Sequence, residues 1–147
     1  MNIGFIMALN VETLEKSIKA LEKSINVYYS YKEDENKGLI DTISLGVIHN
    51  FKIAYENSWK LIARWLDENI SADTSHKTTK KGLFKLAGEY FLIDDVNMWI
   101  EFQNVRDNIL HIYSCVLYDE ILQYALKFPI YAEYFFKNLN EIGYSIK

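Results

Sequence analysis

The sequence predicts an all-α chain: an antiparallel four-helix bundle with an additional short helix and a kinked last helix. Three observations carry that expectation. One proline and six glycines among 147 residues leave long stretches free of helix breakers, which disfavours a sheet-rich fold. Apolar residues recur at steps of three and four rather than two. Half of the chain is hydrophobic, enough for one domain over residues 1–147 to bury a real core.

The elements follow in order. Asn10 can cap a first helix in which Leu14, Ile18, Leu21, Ile25 and Tyr28 form the seam of a bundle or coiled coil. The charged run Lys32 to Lys37, ending at Gly38, reads as a loop. A second helix carries Leu39, Ile43, Val47, Phe51, Tyr55, Trp59, Ile62 and Leu66 on one side and stops near Asn69. Ser71 to Thr79 is polar and irregular, and a short helix over Lys81 to Tyr90 leads to Asp94-Asp95. Adjacent carboxylates diverge on a helix, so Asp95 reads as a cap rather than half of an acid–base pair. The helix it opens gathers Met98, Phe102, Val105, Ile109, Ile112 and Val116 on one face. A last helix begins around Asp119, and Pro129 should kink or break it near Phe128. Beyond the proline, Tyr134, Phe135 and Leu139 point inward. No internal repeat, low-complexity tail or second domain is visible.

Composition bounds the function. A net charge of −4 argues against a dedicated nucleic-acid binder, which needs a basic footprint. The positive charge is nevertheless clustered: His76, Lys77, Lys80, Lys81 and Lys85 crowd one stretch. Such a run is ordinarily a solvated loop or helix start, and it is also the best local candidate for steering RNA. Eleven tyrosines suit helices that carry an interface as well as a core. The single cysteine, Cys115, fits a reducing cytoplasm and reads as an inert buried thiol. His49, His76 and His111 lack metal-ligand spacing, no glycine-rich phosphate loop occurs, and neither a metal nor a cofactor is expected. The opening MNIGFIMALN lacks a cationic flank and is too short for a membrane span, so a cytoplasmic protein without a membrane partner is expected. Trp59, Trp65 and Trp99 are most simply core or interface aromatics.

One segment stands apart. RDNILHIY, Arg106 to Tyr113, sets an arginine, a histidine and a tyrosine in the order R-x-x-x-x-H-x-Y. In a continuous helix Arg106 and Tyr113 lie one above the other at the edge of the apolar stripe. His111 falls roughly 140° from the stripe's centre, so it is not a core histidine. Arginine grips phosphate through a planar fork, and imidazole exchanges protons near neutral pH. Asp107 could orient either group, and Asn108 follows it.

This segment resembles the signature of the HEPN proteins, and the tyrosine two residues after the histidine resembles the HepT-like group, also known as nucleotidyltransferase substrate-binding proteins. FKIAYENSWKLIARWL, Phe51 to Leu66, resembles that group's aromatic helix with its Phe, acidic residue and Trp-Lys. Ile93-Asp94 with Trp99 is a third matching stretch. Asp107 and Leu110 stand where the group has asparagine and a small hydroxyl residue, Lys52 stands for an acid, and Ser44-Leu45 for an Arg-Asp pair. The resemblance implies a HEPN-like helical domain acting as a metal-independent endoribonuclease toxin. Arg106 would hold the phosphate, and His111 would serve as general acid or base. A roughly 140° separation on one helix does not aim both at one phosphate, so two copies pooling residues in a homodimer are implied. The resemblance also implies a cognate minimal nucleotidyltransferase antitoxin that adds AMP to Tyr113. The alternative is a non-catalytic substrate-binding or adaptor subunit of a nucleotidyltransferase complex. A plainer scaffold, in which Arg106 pairs with an acid across a dimer, leaves His111 without a role.

Overall fold

The computed structural model describes the backbone of residues 3–113 and 115–142 and the side chains of 10–113 and 117–142. It contains five α-helices and, among the described residues, no strand: α1 (Ile3–Tyr31), α2 (Lys37–Asn69), α3 (Lys80–Glu89), α4 (Val96–Asn108) and α5 (Cys115–Ile142). Two 3-10 turns, Ser75–Lys77 and Ile109–His111, precede α3 and follow α4. α1 and α2 pack along each other, α5 lies against both, and α3 bridges α2 to α4, which closes on α5. No described helix is long and apolar enough to cross a membrane.

Periodicity explains the packing of the long helices. Leu14, Ile18, Leu21 and Ile25 of α1 are all buried, as the seam predicted. Along α2 the buried set includes Val47, Phe51, Tyr55, Ile62 and Leu66, whereas Leu39 is exposed near the start of the helix. Asn36 caps α2 by accepting a bond from the Leu39 amide. α1 begins at Ile3, so Asn10 is not its cap but lies inside it. Helix-compatible residues before Asn10 let the helix extend upstream of a good capping residue.

The centre of the fold is aromatic. Phe51 and Tyr55 of α2, Phe84 of α3, Trp99 and Phe102 of α4, and Phe128 and Phe135 of α5 are each essentially inaccessible. Phe128 receives Phe102 edge-on at 4.9 Å, Phe51 at 5.2 Å and Trp99 at 5.4 Å between ring centroids. Edge-to-face pairs of this kind add about 0.5–1.5 kcal/mol each beyond area burial. They lock α4 onto α2 and α5, and thereby fix where Arg106 emerges.

α5 starts at Cys115, upstream of the expected Asp119, and runs through Pro129 without a break. The proline removes one helical hydrogen bond, but Phe128, Ala132, Phe135 and Leu139 continue to fill the core on either side of it. Tyr134 is exposed, not inward as its spacing suggested. The Cys115 side chain lies outside the described residues.

The link from α3 to α4 is a tight C-cap. The Leu92 amide donates to Ala87 O at 2.9 Å and the Phe91 amide to Gly88 O at 3.1 Å, the paired bonds of a Schellman motif. The left-handed residue of that motif is Phe91, with φ of 62° and a largely exposed ring. Glycine normally sits there because a Cβ is strained. Phe91→Gly should therefore raise stability by about 1 kcal/mol, read as a higher urea midpoint with unchanged slope. Asp95 caps α4 as predicted, accepting from the Met98 amide at 3.1 Å.

Candidate functional site

Arg106 leaves α4 near its C-terminal end and reaches α2. Its Nε donates to Glu56 Oε1 at 2.8 Å, while Trp59 Nε1 donates to Glu56 Oε2 at 2.9 Å. Glu56 and Trp59 lie three apart on one face of α2, so a single carboxylate joins the arginine to the tryptophan. Burial pushes the Glu56 carboxyl up; the two hydrogen bonds and the charges of Arg106 and Lys80 outweigh it and hold the group below the usual carboxylate range. The arginine uses Nε for this contact. Its terminal nitrogens carry four further N–H donors, and the side chain is about a quarter exposed. Glu56 thus fixes the guanidinium without consuming its capacity to meet an anion.

Lys80, the first residue of α3, extends the cluster. Its Nζ sits 3.6 Å from the centroid of the Trp59 ring. Burial and the nearby Arg106 and Lys60 charges lower its pKa, opposed by Glu56 and Asp107. Asp107 accepts from Gln103 Nε2 at 2.9 Å, and Gln103 Oε1 accepts from the buried Tyr55 hydroxyl. Burial, reinforced by the Glu56 and Asp107 charges, pushes the Tyr55 phenol far up, so it remains a donor. Asp107 is therefore tied to the core through glutamine rather than aimed at Arg106.

The motif does not form one continuous helix. α4 ends at Asn108, and the Ile112 amide bonds to Ile109 O at 3.1 Å in a 3-10 turn. The 100° step that stacked Arg106 beneath Tyr113 and turned His111 by roughly 140° fails beyond Asn108. His111 ends this turn with its side chain exposed. Tyr113 is 88 % and Leu110 84 % exposed. Tyr113 borders a hollow of about 450 Å³ with Asp41, Tyr118 and Asp119, between the starts of α2 and α5. The structure thus joins Arg106 with Lys80 and near Asp107. Asn108 and His111 are exposed beside them in sequence, and Lys77, Lys81 and Lys85 lie exposed on the preceding turn and α3.

Glu56, Trp59 (read from the sequence as a core or interface aromatic) and Gln103 are the members that sequence reasoning did not place in the site. The quoted stretch FKIAYENSWK contains the first two, and their i, i+3 spacing was the available signal. Gln103 offered none. Among the described residues no group of three or more His, Cys, Asp or Glu is placed to hold a metal ion.

The sequence model of the family described as nucleotidyltransferase substrate binding protein like matches residues 9–141, and the chain belongs to that family. It is 28% identical over 110 residues to a Haemophilus influenzae protein named "Probable ribonuclease HepT", a match covering 72% of this chain and 75% of the relative. Its fold is similar, with a TM-score of 0.80 at 22% identity, to a solved Haemophilus influenzae structure described as the fold of a substrate binding domain of a nucleotidyltransferase. That match covers 88% of this chain and 98% of the other.

Proposed function

We propose that this chain is a metal-independent endoribonuclease toxin of the HEPN type, paired with a minimal nucleotidyltransferase antitoxin. The observation that carries the reading is the anchored guanidinium of Arg106 a few residues before an exposed His111 and an exposed Tyr113. The relative named as a probable ribonuclease supports it. Arg106 meets the scissile phosphate with its terminal nitrogens and stabilises the added negative charge. His111 takes the proton from the ribose 2′-hydroxyl or delivers one to the departing 5′-oxygen. The 2′-oxygen bonds to phosphorus as the bond to the 5′-oxygen breaks, leaving a 2′,3′-cyclic phosphate and a free 5′-hydroxyl.

Two copies supply the site in this account. Leu110, a large apolar side chain exposed beside His111, gives the turn a surface to share with a second copy. Mixing is the test. Arg106→Ala and His111→Ala proteins, each inactive alone, should recover roughly a quarter of wild-type cleavage when combined. Half of randomly formed dimers are mixed, and each mixed dimer holds one intact site of two. No recovery, in proteins shown to exchange subunits, contradicts a site shared between copies.

A second reading has its own observation. Arg106 is bound to Glu56 within one chain, as a purely structural ion pair would be. In that reading the chain is a non-catalytic substrate-binding or adaptor subunit of a nucleotidyltransferase complex. It gains if neither variant alters RNA cleavage.

A further inference from the structure

Trp59 stands at the junction of two adjoining hollows, of about 260 and 320 Å³, on the surface beyond the Arg106 pair. Each is close to the roughly 300 Å³ at the lower end of small-ligand sites. Ser75 and His76 line both; Lys80 borders the first and Lys60 the second. The two lysine Nζ atoms lie 3.6 and 5.9 Å from the Trp59 ring centroid, and neither makes a direct ion pair among the described residues.

The nearby carboxylates have partners within the fold, except that Glu68 Oε2 is buried without one among the described residues. Asp67 accepts from the Ser75 amide and hydroxyl, each at 2.7 Å. Glu68 lies 3.5 Å from Arg64 Nε, and Glu56 is held by Arg106 and Trp59. The hollows therefore offer an indole, an imidazole and two lysine ammonium groups outside any direct ion pair among the described residues, with Asp67 and Glu68 on the wall of the second hollow. They also adjoin the proposed reaction site, because Glu56 bridges Trp59 to Arg106.

We infer that the Trp59 hollow is a subsite for one nucleotide of a single-stranded RNA. Trp59 and His76 contact its base, and Lys60 and Lys80 hold the phosphates to either side. This rests on the ribonuclease reading and extends it, giving the strand a direction from Arg106 outward along α2. Aromatic stacking accepts any base, so the subsite adds affinity without strong sequence choice. A base entering the hollow displaces Lys80 from the indole face onto phosphate, replacing a cation–π contact with a charge-assisted one.

The test uses the whole chain and a fluorescein-labelled 2′-O-methyl RNA octamer, which cannot supply the attacking hydroxyl. Trp59→Leu should weaken binding roughly tenfold or more, and Trp59→Phe, which keeps a π face, far less. Lys60→Gln with Lys80→Gln should flatten the plot of log Kd against log salt by about 1.4, the share of two single-strand phosphates. Should Trp59→Leu melt early, the lysine pair decides alone. An unchanged salt slope, or unchanged affinity in a folded Trp59→Leu, overturns the subsite. So does displacement of the octamer by micromolar ATP, which assigns the hollow to a free nucleotide. Because the probe is never cut, a chain that binds RNA here without cleaving it still satisfies this test. Failure of the catalytic reading alone is thereby distinguishable.

Discussion

His111→Ala should lower RNA cleavage by a factor of about 10²–10⁴, the usual contribution of a positioned acid or base. The side chain is exposed at the end of a 3-10 turn and outside the core, so stability should shift by no more than about half a kcal/mol. The loss is therefore readable as chemistry. Arg106→Ala should abolish cleavage as well, but with a different signature. It leaves the half-buried Glu56 without its charged partner, at a cost on the order of 1 kcal/mol. Cleavage rates and urea denaturation on both variants check the pair. Full activity in both would remove the mechanism.

Modification of Tyr113 should be as decisive. Incubation with the cognate nucleotidyltransferase and ATP should join the Tyr113 hydroxyl to the α-phosphate of ATP, releasing pyrophosphate, and cleavage should cease. The hydroxyl is reachable, since Tyr113 is 88 % exposed at the rim of its hollow. The attached phosphate brings negative charge and bulk two residues from His111, repelling a polyanionic substrate. Tyr113→Phe removes only the acceptor oxygen, so it should fold normally, cut RNA and escape modification. Mass spectrometry of the digested protein decides: AMP on another tyrosine, or on none, contradicts the assignment.

The bundle was legible because its core obeys a simple period. Leu14, Ile18, Leu21 and Ile25, then Val47, Phe51, Tyr55 and Leu66, are buried where spacings of three and four place them. Asp95 was legible because a cap acts locally, through its own side chain and the amide three residues on. Three boundaries escaped, one of them the start of α5 at Cys115 rather than around Asp119. Nothing before Asn10 forbids an earlier helix start, and neither glycine nor proline marks the end of α4 at Asn108. That end decides the geometry of the motif, because a 3-10 turn rotates each residue further than an α-helix does. Arg106, His111 and Tyr113 were recognisable by residue type and order. The Glu56 partner was not assigned, since it comes from a helix fifty residues away and only packing brings it to Arg106.

Among the clustered lysines, position in the fold separates what sequence proximity had grouped. Lys80 enters the Arg106 neighbourhood because Thr79 caps α3, accepting from the Gly82 amide at 3.1 Å, and so fixes the first turn beside Trp59. Lys77, Lys81 and Lys85 are exposed around it. Charge density alone could not make that distinction.

The central claim is RNA cleavage by the chain's own side chains through the substrate's 2′-hydroxyl. It is tested most directly by incubating the purified protein with a labelled RNA in excess EDTA and analysing the fragment ends. The account predicts cleavage that persists in EDTA, with 2′,3′-cyclic phosphate and 5′-hydroxyl termini, and none on the 2′-O-methyl counterpart. Cleavage that appears only with a divalent cation, or fragments bearing 5′-phosphates, would contradict it.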